Sequence, residues 1–150
     1  MLTIKRLSIL DANVLLAGAR AKAEENDVPM CIAITDESGN LIAFERMDGG
    51  KIPSINIAID KSYTAAGIRN GTHNLAEASQ PGMPVHGIFS ALGGRMVAIA
   101  GGLPVVSDGQ VVGGIGVSSG TPAQDLEVAE AGIQAFIEKT ETDHTFRDKT

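Results

Sequence analysis

Leu103-Pro104-Val105-Val106-Ser107-Asp108-Gly109-Gln110-Val111-Val112-Gly113-Gly114-Ile115-Gly116-Val117-Ser118 is the stretch that decides how this chain folds. Two apolar runs flank Asp108-Gly109. Both central positions of a tight type I′ turn need positive φ, which Asp and Gly tolerate. The segment therefore reads as an antiparallel hairpin, with strands over 103–107 and 110–118. Downstream, Thr121-Pro122 places a capping residue before a proline at the first helical position. Leu126, Ala129, Ile133 and Ile137 then recur as the buried stripe of a last helix. Residues 140–150 are polar and read as a frayed end.

Upstream, 96–100 reads as one more strand. Before it, 80–95 contains Pro81-Gly82-Met83-Pro84 and Gly93-Gly94, which do not sustain regular structure. This is the longest irregular stretch, and such loops are often functional. Nearer the N-terminus, Ser8 caps a helix with Asp11 in its first turn. Ile9, Ala12, Leu15, Leu16, Ala19 and Ala23 form its apolar stripe, and it ends near Asn26. Strands over 30–36 and 41–46 flank the turn Glu37-Ser38-Gly39-Asn40. Ser54 caps a second helix that stops at Gly67, and Thr72 caps a short helix over 74–79. The order is helix, two strands, helix, three strands, helix. Short hairpin connections make the sheet antiparallel. The expectation is an α+β fold, one domain over 1–150, with a five-stranded sheet and helices against it in a profilin-like or PAS-like manner.

The 150 residues suffice for one core without a staple. With no tryptophan and one tyrosine, that core is aliphatic. A net charge of -6 argues against a nucleic-acid partner, whose phosphates need a basic face. No stretch approaches the ~20 apolar residues of a membrane helix. Cys31 is the single cysteine, so no internal disulfide forms, which fits a reducing, cytoplasmic setting. The N-terminus lacks a signal-peptide pattern. Positive mean hydropathy, and Ile55, Ile57, Ile59 and Ile68 spread around the second helix, predict a homo-oligomer.

The Gly113–Ser119 run follows a strand and opens a helix, the setting of a phosphate-binding turn. It lacks the third glycine of the dinucleotide fingerprint and the Gly-Lys-Ser/Thr of a P-loop. Gly114 and Gly116 instead let another backbone, or a flat ligand, lie close against the strand. Gly101-Gly102 supplies either a tight bend or a second wall of the same pocket. The helix N-terminus at Thr121 suits a carboxylate. Arg46, beside Asp48 at a strand end, either grips a ligand carboxylate or pairs with Asp48 or Asp60. Lys61 either sits on a solvated face or points into a pocket as base or anion holder. His73 and His86 have no metal-motif spacing, so no zinc site is expected. Each is a candidate single axial ligand to haem iron, or a polar loop histidine. Neither a nucleophile elbow nor a hydrolase triad stands out.

Three ordered blocks carry a family resemblance. They are Ile34-Thr35-Asp36-x-x-Gly39-Asn40-Leu41-Ile42-Ala43-Phe44-x-Arg46-Met47-Asp48, Lys61-Ser62-Tyr63-Thr64-Ala65-Ala66, and Gly101-Gly102-Leu103-Pro104-Val105-x-x-Asp108-Gly109-Gln110-Val111-Val112-Gly113-x-Ile115-Gly116-Val117-Ser118, followed by Asp125 and Ala131-Gly132. Together they resemble the haem-degrading/GlcG (HbpS-like) family from about Ser8 to Phe136. The resemblance implies a profilin-like α-β-α sandwich, a homo-oligomer, and haem or corrinoid-related binding in some members. Other members sit in small-molecule catabolic operons. No histidine precedes His73, so an N-terminal iron ligand is absent, and His73 and His86 both lie outside the matched blocks.

Three functions follow as expectations: a binding protein for haem or a similar planar ligand, an enzyme of small oxo- or hydroxy-acid catabolism, and an oligomeric scaffold. In the enzyme, Arg46 holds the carboxylate and Lys61 or His86 moves the proton.

Overall fold

The computed structural model describes residues 1–147, with side chains through Asp143. Helix α1 spans Ile9–Glu25 and opens on a reciprocal cap in which Ser8 and Asp11 satisfy each other's backbone N–H. Its buried face is Ala12, Leu15, Leu16, Ala19 and Ala23, while Ile9 at its start stays exposed. Strands β1 (Cys31–Asp36) and β2 (Leu41–Arg46) pair antiparallel across a turn in which Gly39 takes φ of 82°. Helix α2 covers Ser54–Ile68 and α3 covers Thr72–Ala78. Strands β3 (Gly102–Ser107) and β4 (Gln110–Ser118) form the hairpin, and Asp108 and Gly109 both have positive φ, as the turn requires. Helix α4 runs over Pro122–Arg147.

The sheet has four strands in the order β2-β1-β4-β3, all antiparallel. The expected fifth strand over 96–100 is not formed. Its backbone is satisfied by side-chain hydroxyls rather than by a ladder. Val97 N donates to Thr64 Oγ1, and Ile99 O accepts from Thr72 Oγ1. The segment is thus pinned to α2 and α3 as an irregular strap. Both edge pairings contain a bulge, whose extra residue is Ile42 in β2 and Val112 in β4, and Pro104 sits in β3.

Helices cover both faces. On one side α1 and α4 pack on each other and on the sheet around Leu15, Ile32, Ile34, Ile115, Val117 and Phe136. On the other, α2 lies against Cys31, Ala33 and the glycines of β4. The alternation Ile32/Ile34 to one layer and Cys31/Ala33 to the other is the period-two pleat of a strand buried on both faces.

Other boundaries shift for local reasons. Ser54 is the first residue of α2 rather than its cap, and Arg69, at φ of 57°, ends the helix instead of Gly67. Thr72 does not cap α3, which follows Gly71. Its hydroxyl accepts from Gly102 N at 2.9 Å and ties the helix to the start of β3. In α4 the buried apolar residues are Val128, Ala129 and Phe136, with Ile133 partly buried and Ile137 exposed. Residues 140–147 continue that helix rather than fray, and 148–150 lie outside the described residues. The isoleucines of α2 are half-buried.

Candidate functional site

The glycines of β4 are closed by α2. A Cβ on Gly116 would collide with Ala58 O and come within 2.5 Å of Ser62 N. One on Gly114 would stand 2.5 Å from Ser62 O. The close approach read from sequence is real, and the approaching group is a helix backbone. The flat-ligand surface expected along this strand is therefore filled, because α2 occupies it.

Lys61 is also inside. Its side chain is 1 % exposed and its Nζ donates to Val117 O and Asp125 Oδ2, both at 2.8 Å. Asp125 is 4 % exposed and its Oδ1 accepts from Gly120 N at 2.9 Å. Burial pushes the Lys61 ammonium below its ordinary range, while Asp125 pulls the other way. Gly101, at φ of 120°, lies over this pair, and a Cβ there would stand 2.9 Å from Lys61 Nζ. Gly102 is closed by Lys61 O at 2.5 Å. Lys61, Gly101 and Gly102, candidates that the sequence offers separately, thus come together, but as a sealed ion pair under glycine backbone. Neither a solvated lysine nor a base facing substrate matches this geometry. The missing partner, Asp125, stands in the third family block, which was the signal for it.

Thr121 is exposed at the head of α4. Its Oγ1 accepts from Gln124 N and its own N donates to Gln124 Oε1, so the cap is self-satisfied. Arg46 is exposed at the end of β2 and Asp48 exposed in the following loop. Asp60, a partner considered for Arg46, instead takes Arg95 at 2.8 Å, and that guanidinium also lies 3.8 Å from the Tyr63 ring centre.

The two histidines separate. His73 is the second residue of α3, with its Nδ1 buried against Gly71 and no hydrogen-bond partner among the described residues. His86 lines a cleft of about 450 Å3 between the end of α3, the irregular loop and the strap over 96–99. Its walls include Pro81, Phe89, Met96, Val97 and Ile99. His86 Nδ1 lies 3.2 Å from Ser79 O. A carbonyl only accepts, so Nδ1 is the donor, and in the neutral ring this places the lone pair on Nε2. A neutral imidazole so oriented, in an apolar cleft of ligand size, suits coordination by Nε2. A second, larger depression of about 710 Å3, between the N-terminal arm and the two hairpin turns, is lined by Lys5, Glu37 and Arg69 and holds none of the candidate residues.

Among the described residues no group of three or more His, Cys, Asp or Glu gathers to hold a metal ion, and no helix is long and apolar enough to cross a membrane. Cys31 is buried, and burial raises its thiol pKa.

The chain is similar to proteins already known. Residues 7–134 match the family model described as haem-degrading protein HbpS-like. A 15.0 kDa uncharacterised protein of the dhaT-dhaS intergenic region of Citrobacter freundii is 37% identical over 135 residues, covering 90% of this chain and 95% of its own. The crystal structure of Klebsiella pneumoniae ORFY superposes with a TM-score of 0.89 at 31% identity, covering 91% of this chain and 94% of the other. That of a PduOC:heme complex superposes with 0.84 at 33% identity, covering 87% and 94%.

Proposed function

The chain belongs to the HbpS-like family of haem-degrading proteins, and from that premise we propose that it binds a planar small molecule of the haem class in the His86 cleft. The observation that carries this reading is the Ser79 O contact, which makes Nδ1 the donor and so puts the lone pair of the neutral ring on Nε2, in a cleft with apolar walls. The donor set fits the group: one imidazole nitrogen, one thioether residue in Met96, and aliphatic and aromatic walls for a porphyrin face. Bound haem would supply the iron that the Nε2 lone pair ligates. His86, not His73, is the ligand in this reading, because His73 does not line the cleft. The heme bound by the similar PduOC domain supports the ligand class.

The small-acid enzyme finds less support, since Lys61 is sealed from any substrate. The working form in this proposal is a cytoplasmic homo-oligomer of one domain over 1–150.

Spectrophotometric haem titration tests the reading. The expected result is saturation at about one haem per chain, with a changed Soret spectrum in His86→Ala and an unchanged one in His73→Ala. A titration that does not saturate, or that ignores His86, sinks it.

A further inference from the structure

Asn70-Gly71 is the one place in the chain where glycine follows an asparagine; the other asparagines precede Val14, Asp27, Leu41, Ile57 and Leu75. The pair forms the joint between α2 and α3, and Asn70 is exposed there. Asn70 turns its side-chain amide back onto the next peptide, so that Gly71 N donates to Asn70 Oδ1 at 2.8 Å. The amide carbon is one bond from that oxygen. Gly71 N therefore stands close to it, and glycine has no side chain to hold the two apart. Asn74 Nδ2 donates to the same oxygen at 2.7 Å. The His73 ring lies against Gly71, where an added Cβ would stand 2.6 Å from Nδ1. That nitrogen is buried without a hydrogen-bond partner among the described residues. Haem binding through His86 gives His73 no role.

We propose that Asn70-Gly71 is a self-modification site, where His73 and Asn74 promote conversion of the Asn70 amide to an acid without another enzyme. In the Nε2–H tautomer His73 Nδ1 offers a lone pair and takes the Gly71 N–H proton. Gly71 N bonds to Asn70 Cγ, and Asn74 Nδ2 holds the negative charge that develops on Oδ1. The Asn70 Cγ–Nδ2 bond then breaks, His73 returns the proton, and ammonia leaves a five-membered succinimide ring. Water opens the ring at either carbonyl and gives aspartate or isoaspartate. The sum is amide plus water to acid plus ammonia, with no change of oxidation state. Isoaspartate also routes the main chain through the former side-chain methylene, which lengthens the joint. Thr72, two residues on, ties α3 to Gly102 N at 2.9 Å and to Ile99 O. Conversion of Asn70 strains that tie and loosens the strap.

The test is incubation of the full chain at neutral pH, followed by intact-mass and peptide mass spectrometry. The natural protein should gain about 1 Da at residue 70, with isoaspartate in the product and the other asparagines unchanged. Asn70→Gln closes only a less favoured six-membered ring and should gain nothing. His73→Ala and Asn74→Ala should each slow the gain about tenfold or more. A variant that merely loosened the joint would free the chain and speed the reaction, so a slower rate separates chemistry from unfolding. Aged natural protein should melt below fresh protein, while Asn70→Gln should melt the same at both ages. A gain at residue 70 no faster than at the other asparagines overturns the site. Rates in His73→Ala and Asn74→Ala that match or exceed the natural one overturn their roles. Equal melting of fresh protein and fully converted protein overturns the strain on the Thr72 tie.

Discussion

Lys61 Nζ and Asp125 Oδ2 lie 2.8 Å apart in the interior, joining the middle of α2 to the first turn of α4 beneath the end of β4. Removing one member of such a pair leaves an uncompensated charge in the core, which costs about 3–5 kcal/mol. Asp125→Ala also strips Gly120 N of its acceptor. Chemical denaturation of Asp125→Ala should show a loss in that range. A loss below about 1 kcal/mol would mean that water reaches the pair.

The same pair gives a pH signature. The folded Lys61 pKa lies below its ordinary value of 10.5. Between the folded and unfolded values the unfolded chain holds more protons, so the Lys61 contribution to stability rises with pH across that window. Below it the full cost of the buried charge applies. Subtracting the alkaline stability profile of Lys61→Met from that of the natural protein should leave a rising slope up to pH 10.5. A flat difference would show that Lys61 keeps its ordinary pKa.

The glycines should sort by what faces them. At Gly116 the obstruction is α2 backbone, which cannot rotate away, so Gly116→Ala should destabilise by about 1–3 kcal/mol through overpacking. Gly87 faces open space at φ of 87°, so Gly87→Ala should cost only left-handed strain, about 1–2 kcal/mol. The two differ in kind. Cutting Ser62 to Ala should not relieve the Gly116 loss, because Ala keeps the Cβ and the nearest atoms are Ala58 O and Ser62 N of the α2 backbone.

Arg46 stands outside the cleft, exposed at the far end of β2. Arg46→Ala should therefore leave the haem titration unchanged. A clear weakening would put a propionate on Arg46 and shift the ligand position toward the loop at Asp48.

Much of the fold is written in local signals. The Asp108-Gly109 turn and the Ser8 cap each depend on a few neighbouring residues, and both form as expected. The strand over 96–100 is misread because its composition suits a ladder, whereas its backbone is taken by Thr64 and Thr72, hydroxyls 33 and 27 residues away. Lys61 shows the same limit. Its partner is 64 residues distant, and no periodicity reports a buried ion pair across that span. Glycines in β4 announce a close neighbour but not its identity, so a helix backbone and a flat ligand look alike from sequence. In the sequence His86 and His73 stand level as candidate haem ligands, because what separates them, Ser79 O and the walls that the loop and strap build together, is set by residues no local pattern reports.

The two outer strands have a consequence for how this protein ages in solution. At one margin β3 carries Pro104, which has no N–H to offer, and its ladder to β4 is interrupted by the bulge at Val112. At the other, β2 ends in Glu45 and Arg46, and its ladder is interrupted opposite Ile34/Thr35. Neither margin templates an incoming strand. Two chains will not merge into one continuous sheet, and concentrated protein should precipitate amorphously rather than grow thioflavin-positive fibrils.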